Sequence, residues 1–189
     1  SDLTDFQISL TIDTAALITD GKLQSNCADL RFTDHKGRLL PFWIQENSPG
    51  CNNSATKVWI KVPSIPKTGG SIFVYYGNGN AASAPDHNGE QVFLMFEDFS
   101  NPDSTWTSYG GNHTFSNGEM TFTPDSSSNW NHTATSNQDS VTGQDSYVVE
   151  QRYKSASVTS GNVFRFIDDN NWWGVEYYGN TLKARGIIA

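Results

Sequence analysis

The chain has only two cysteines in 189 residues, Cys27 and Cys51, with no C-x-x-C spacing and no histidine beside either. That excludes a dithiol redox motif and a zinc knuckle. Basic side chains are also scarce, 12 against 20 acidic ones, for a formal charge of −8 and a pI near 4.8. Such a surface repels phosphate backbones and anionic lipid, so nucleic acid is not an expected partner. No apolar run approaches the roughly 20 residues that span a bilayer, so no membrane insertion is expected in this segment. A basic n-region followed by an apolar h-region is missing at the N-terminus, and the chain reads as soluble and starting after any signal. Catalytic patterns are missing too: there is no G-x-S-x-G and no E-x-D-x-x-E. The four histidines, His35, His87, His113 and His132, form no i, i+2 or i, i+4 pair for a metal.

Aromatics, by contrast, reach 13% while charged residues are held to 17%. The polar remainder is dominated by Ser, Thr, Asn and Gly, which favours an all-β fold of the kind found in extracellular modules. The plainest strand signal lies between Ala55 and Asn80. Val58, Ile60 and Val62 alternate with Lys57, Trp59 and Lys61, and Ile72, Val74 and Tyr76 alternate with Phe73 and Tyr75. Between the runs, Pro63, Pro66, Gly69 and Gly70 stop either strand from continuing. The pattern predicts a half-buried β-hairpin.

Alternation also predicts strands at Phe6 to Ile12, Leu30 to Asp34 and Leu39 to Gln45, with a helical turn or loop over 14–19. Residues 81–90, AASAPDHNGE, read as a linker or long exposed loop and place a boundary there. Beyond it, Val92 to Phe99 reads as a strongly apolar strand. Further short strands are expected at 106–109, 113–116, 119–123, 146–153, 162–167, 172–178 and 181–188. No 10-residue window shows a convincing 3.6 period and no internal repeat is present. The expected architecture is two antiparallel, jelly-roll-like β-sandwich modules, residues 1–90 and 91–189, the second incomplete.

Cys27 and Cys51 are expected to form one disulfide, the alternative being two buried thiols; such bonds persist in oxidising compartments. N-x-S/T sequons at Asn52, Asn112 and Asn131 lie in polar, turn-like stretches where a glycan would fit.

Residues 5–98 carry a set of segments in order: L-T-D-F-Q, D-L-R-F-T-D, G-R-L-L-P-F-W-I, T-K-V-W-I-K-V-P, I-F-V-Y-Y-G-N and V-F-L-M-F-E-D-F. Together they resemble the domain of unknown function 2341 family. The resemblance implies an exported, multidomain bacterial or archaeal setting, in which such domains often adjoin lectin-like sandwiches or proton-channel subunits. The second half, with Y-V-V-E-Q-R-Y-K and V-F-R-F-I-D-D-N-N-W-W-G-V-E-Y, is similar to laminin-G or concanavalin-like sandwiches. Against these families the chain departs twice. Members carry a further aromatic and basic strand ahead of Ser1, and the residues after Asp98, about 90, fall short of a full sandwich. Strand addition from a neighbouring copy or surface protein would complete the sheets, as would a longer parent chain.

Asp168, Asp169, Asn170, Asn171, Trp172 and Trp173 form the most site-like cluster. Sugars are bound by aromatic faces and by Asp and Asn meeting hydroxyls, so Asp168, Asn170, Trp172 and Trp173 are candidate carbohydrate ligands. The plainer reading is a D-D-N-N hairpin turn with one Trp in the core, because adjacent strand residues belong to opposite faces. Glu97 and Asp98 are candidate calcium ligands, the plainer reading being solvated edge carboxylates. No other cofactor is expected. Glu150 and Glu176 stand alone, without the carboxylate pair that glycoside hydrolysis needs.

These readings converge on an exported, non-enzymatic protein of the cell surface or the secreted fraction. It is expected to be a structural subunit or adhesive module of a filament, pilus or envelope assembly. The alternative is a carbohydrate-binding module, with polysaccharide as partner, of a larger secreted or cell-surface protein.

Overall fold

The structure, a computed structural model, describes residues 2–45, 50–85, 87–100, 106–125, 132–135, 148, 150, 160–168, 171–178 and 181–187. It divides into two compact units, Ser1–Gln144 and Asp145–Ala189. The first contains, in chain order, β1 (Leu3–Ile12), α1 (Thr14–Thr19), β2 (Arg31–Asp34), β3 (Phe42–Ile44), β4 (Thr56–Ile65), β5 (Ile72–Tyr75), α2 (Gly89–Val92), β6 (Trp106–Tyr109), β7 (Gly111–Ser116), β8 (Glu119–Pro124) and β9 (His132–Thr135). The second contains β10 (Ser160–Asp168), β11 (Asn171–Tyr178) and β12 (Thr181–Ile187). The fold is all-β, and every strand pair among the described residues is antiparallel.

Two sheets close over one apolar core in the first unit. One has the order β1-β4-β3 and the other pairs β2 with β5. The period-two pattern sends Val58, Ile60 and Val62 of β4 inward, where all are buried, and the register sets Ile8 opposite Ile60 and Leu10 opposite Val58. Phe42 and Ile44 extend that face from β3; Phe32 and Leu30 meet it from the other sheet. Phe32 and Phe42 touch ring to ring, centroids 5.0 Å apart. Asp13 starts α1 by accepting a hydrogen bond from the Ala16 N–H on its side chain, a capping geometry that satisfies one orphan donor of the first turn.

The expected hairpin does not form. β4 is central and pairs with β1 and β3, whereas β5 crosses to the other sheet and pairs with β2. Both runs are strands, as their alternation predicts, but the Pro- and Gly-containing connection is long enough to pass from one sheet to the other. Tight two-residue turns would have kept them neighbours. The run from Val92 is not a strand either. It begins as the last residue of α2 and continues through bends to Phe99, with Phe93 and Phe96 laid over the outer face of the β1-β4-β3 sheet.

Residues 81–90 are attached to the sandwich along most of their length rather than forming an exposed linker. Ala84 is buried, and the Ala81 and Ala82 carbonyls accept hydrogen bonds from Gln24 Nε2 and Arg31 Nη2. His87 makes a parallel bridge to Phe42 and stacks on its ring with centroids 5.1 Å apart.

In the remainder of the first unit, β7 and β8 form a hairpin whose two-residue turn, Asn117-Gly118, has positive φ at both positions (54° and 71°), as a type I′ turn requires. β6 pairs with β9, a strand that the polar sequence around His132 did not announce. In the second unit β10, β11 and β12 run as a three-stranded meander. The strand expected at 146–153 falls almost wholly outside the described residues.

Candidate functional site

The loop end of the first sandwich is held by side chains that bond to backbone. Asp29, only 4% exposed, accepts the Gln24 N–H on Oδ1 (2.9 Å) and the Gly77 N–H on Oδ2 (2.7 Å), so one carboxylate ties the loop before β2 to the end of β5. Gln24 Nε2 donates to the Asn78 and Ala81 carbonyls, both at 2.9 Å. Arg31 spends its guanidinium on the Ala28, Leu30 and Ala82 carbonyls, each at 2.7 Å. A third loop is joined covalently, because Cys27 and Cys51 form a disulfide with their sulfurs 2.03 Å apart. The expected pairing is therefore present, linking the segment before β2 to the loop before β4.

On the opposite sheet, Trp43 of β3 stands directly across from Trp59 of β4. Phe93 meets both indoles edge-on, and Phe96 meets Trp43 at 5.0 Å. Lys57 Nζ lies 4.3 Å above the Trp59 ring, and Trp59 Nε1 donates to Gln45 Oε1 at 3.0 Å. Gln7 Nε2 donates to the Val92 carbonyl at 2.9 Å, fixing the start of the aromatic strap to β1. The two strand tryptophans are therefore half-buried in a secondary aromatic cluster.

The proposed calcium ligands are engaged in local turns. Glu97 accepts the Phe99 N–H on Oε1 (2.8 Å) and the Trp106 indole N–H on Oε2 (3.4 Å), while Asp98 Oδ1 accepts the Ser100 N–H and hydroxyl. Among the described residues no group of three or more His, Cys, Asp or Glu side chains could hold a metal ion. Of the sequon asparagines, Asn52 is exposed beside Cys51 with φ 63°, and Asn112 is exposed on β7 opposite Thr123. Asn131 lies outside the described residues. Of the candidate sugar ligands, Asp168 ends β10 and pairs with Asn171, while Trp172 and Trp173 lie on β11, Trp172 paired with Ile187 and Trp173 with both Phe164 and Gly186. Asn170 lies outside the described residues.

Residues that the sequence did not single out do much of the positioning. Asp29, Gln24 and Arg31 bond to backbone across loops distant in the chain, and no spacing rule marks such bonds. The disulfide-closed loop and most of the buried core lie within one family match. Residues 26–110 match the model of a domain of unknown function, DUF2341. The DUF2341 match takes in both cysteines, β2 to β6 and α2, while β1, paired with β4 from Leu3 to Ile12, precedes it. No curated protein and no solved structure matches the chain.

Proposed function

We propose that the chain is a non-enzymatic, secreted or cell-surface β-module that acts as a structural subunit or adhesive element of a filament, pilus or envelope assembly. The observation that carries this reading is β5. Among the described residues it pairs only with β2, and Phe73, Val74, Tyr75 and Tyr76 on and beside it are all exposed. An edge strand rich in aromatic and β-branched residues is a template for strand addition by a neighbouring copy or another surface protein. The disulfide supports an oxidising compartment, and no helix among the described residues is long and apolar enough to cross a membrane.

Negative-stain electron microscopy together with the molar mass in solution tests the proposal. Ordered filaments or sheets, or concentration-dependent oligomers, support assembly through sheet edges. Monomers alone at high concentration sink it. A second reading, a carbohydrate-binding module of a larger protein, is favoured by the Asp168–Asn171 strand pair beside Trp172 and Trp173. Quenching or shift of tryptophan fluorescence by a polysaccharide, lost in Trp172→Ala and Trp173→Ala, is its expected signature. Glu97 and Asp98 remain proposed calcium ligands only if added calcium raises the melting temperature and Glu97→Gln removes that response.

A further inference from the structure

His87 is bound to β3 in a way that only one protonation state allows. The Ile44 N–H donates to His87 Nε2 at 3.2 Å. A backbone N–H cannot accept, so Nε2 must present its lone pair and the ring is the neutral imidazole. Beside this bond the Asn88 N–H donates to the Phe42 carbonyl at 3.0 Å, and the His87 ring stacks on Phe42 with 15° between the planes. The other flank of β3 is taken by β4, where the Lys61 N–H reaches the Pro41 carbonyl and the Gln45 N–H reaches the Lys57 carbonyl. The Phe42 carbonyl and the Ile44 N–H are thus outward ladder groups of an edge strand, and His87 and Asn88 cover them.

A second proton on the ring goes to Nε2 and turns the acceptor of the Ile44 bond into a donor facing another donor. Cation–π attraction between the imidazolium and Phe42 opposes release in part. That attraction needs only the ring face, and the ring keeps it by turning Nε2 away from Ile44, so in either case the Ile44 N–H loses its acceptor. The open arrangement takes up the proton and the closed one excludes it; falling pH therefore favours opening and rising pH favours closure. Imidazole ordinarily titrates near about pH 6.5. The packed elements add little charge of their own beside the ring. β3, Phe42–Ile44, has no ionisable side chain, and Lys57 and Lys61 of β4 stand on the sheet face of Trp59, away from the buried Phe42. From β2, Arg31 is held at the Ala28, Leu30 and Ala82 carbonyls and Asp34 at Arg38. Glu90 of α2 is exposed, and Glu46 and Asp86 lie outside the described residues.

We infer that His87 is an acid-released latch on β3: protonation of its ring frees the Ile44 N–H and opens this flank to a strand of a second copy. The second step rests on the assembly reading, whereas the first does not. The freed groups belong to the main chain and recognise a strand whatever its side chains, and a second copy offers an edge strand in β5. Acid also reduces the repulsion between copies that each carry a formal charge of −8, so both effects of acidification act in the same direction.

Amide hydrogen exchange read residue by residue, with the His87 ring nitrogens followed in the same NMR titration of the isotope-labelled whole chain, tests the latch. Protection of the Ile44 N–H, corrected for the intrinsic pH dependence of exchange, should fall about tenfold or more between about pH 7.5 and about pH 5, with the midpoint of the His87 titration. The Gln45 N–H, bonded across the β3–β4 ladder, should keep its protection. In His87→Gln the Ile44 protection should no longer vary with pH, whether or not the amide oxygen replaces the bond. The inference is overturned by Ile44 protection that stays constant while the ring titrates, by a ring still neutral at about pH 5, by an equal loss at Gln45, or by a pH response retained in His87→Gln. Molar mass over the same pH range reads the second step. Oligomers that grow on acidification in the parent chain but not in His87→Gln support pairing through β3. Equal growth in both chains assigns association to the lowered charge and removes β3 from it. Monomers throughout, alongside lost Ile44 protection, keep the latch and reject the assembly reading.

Discussion

Thr14 and Thr56, 42 residues apart and both fully buried, share a hydroxyl–hydroxyl hydrogen bond of 2.6 Å. Around it, Thr14 Oγ1 accepts the Asn53 N–H at 3.1 Å, Thr56 Oγ1 donates to the Gly50 carbonyl at 2.8 Å, and the Asn53 carbonyl accepts the Thr14 N–H at 3.0 Å. The knot joins the start of α1 to the loop that carries Cys51. Thr14→Val keeps the shape but strands the Asn53 N–H, and should cost about 1–3 kcal/mol. A urea titration should show a lower midpoint at unchanged slope; an unchanged midpoint would mean that the knot contributes nothing.

Gly89 lies beneath Phe96 so closely that a β-carbon there would come within 2.4 Å of the ring. Gly89→Ala should therefore lift Phe96 away from Trp43 and destabilise the fold by about 1–3 kcal/mol. A red shift in tryptophan emission accompanying the lower melting temperature is the expected signature. Emission identical to that of the parent chain would show that the strap does not depend on this contact.

The Cys27–Cys51 bond closes a loop with a sequence separation of 24. In the chain-entropy account a loop of this size contributes roughly 3 kcal/mol. Cys27→Ser and the reduced parent chain should both melt clearly below the oxidised protein. Equal melting temperatures with and without reductant would refute the bond.

Asp34 gives the fold an acid-sensitive turn. Burial opposes its ionisation, but the Arg38 and Lys36 N–H groups and the Arg38 guanidinium outweigh that, lowering its pKa from 3.8 to about 2. A carboxyl whose folded pKa lies below its unfolded value stabilises the fold above the unfolded pKa and loses that contribution as pH falls through the folded one. Stability should therefore decline between pH 3.8 and about 2. In Asp34→Asn the difference in unfolding midpoint between pH 5 and pH 2 should shrink; an undiminished difference would assign the acid sensitivity to other groups.

What the sequence disclosed was the content of the strands and which side of β4 faces the core. Val58, Ile60 and Val62 announce their burial through period-two alternation, and the same pattern marks Ile8 and Leu10. It does not choose partners. Alternation is identical whether β4 and β5 pair with each other or with β1 and β2, so the shared core was legible and the pairing was not. The run from Val92 to Phe99 misled for a related reason. Its apolar content signals burial, but Phe93 and Phe96 are three apart and rest on one surface together, a spacing that a straight strand would split between two faces. For the candidate site, the two cysteines were readable because their chemistry allows few alternatives. Asp29, Gln24 and Arg31 were not, because each acts on backbone groups that any residue would supply.

The His87 bridge to β3 bears on how copies of this protein can join. The Asn88 N–H donates to the Phe42 carbonyl at 3.0 Å and the Ile44 N–H to His87 Nε2 at 3.2 Å, so the outer flank of β3 is already occupied. Among the described residues, that stopper leaves the three-stranded sheet one flank for growth, β1. Two copies meeting β1 to β1 would form a closed, two-fold pair and end there. A fibre must instead alternate two different flanks, and β5 is one of the described edge strands that offers a second.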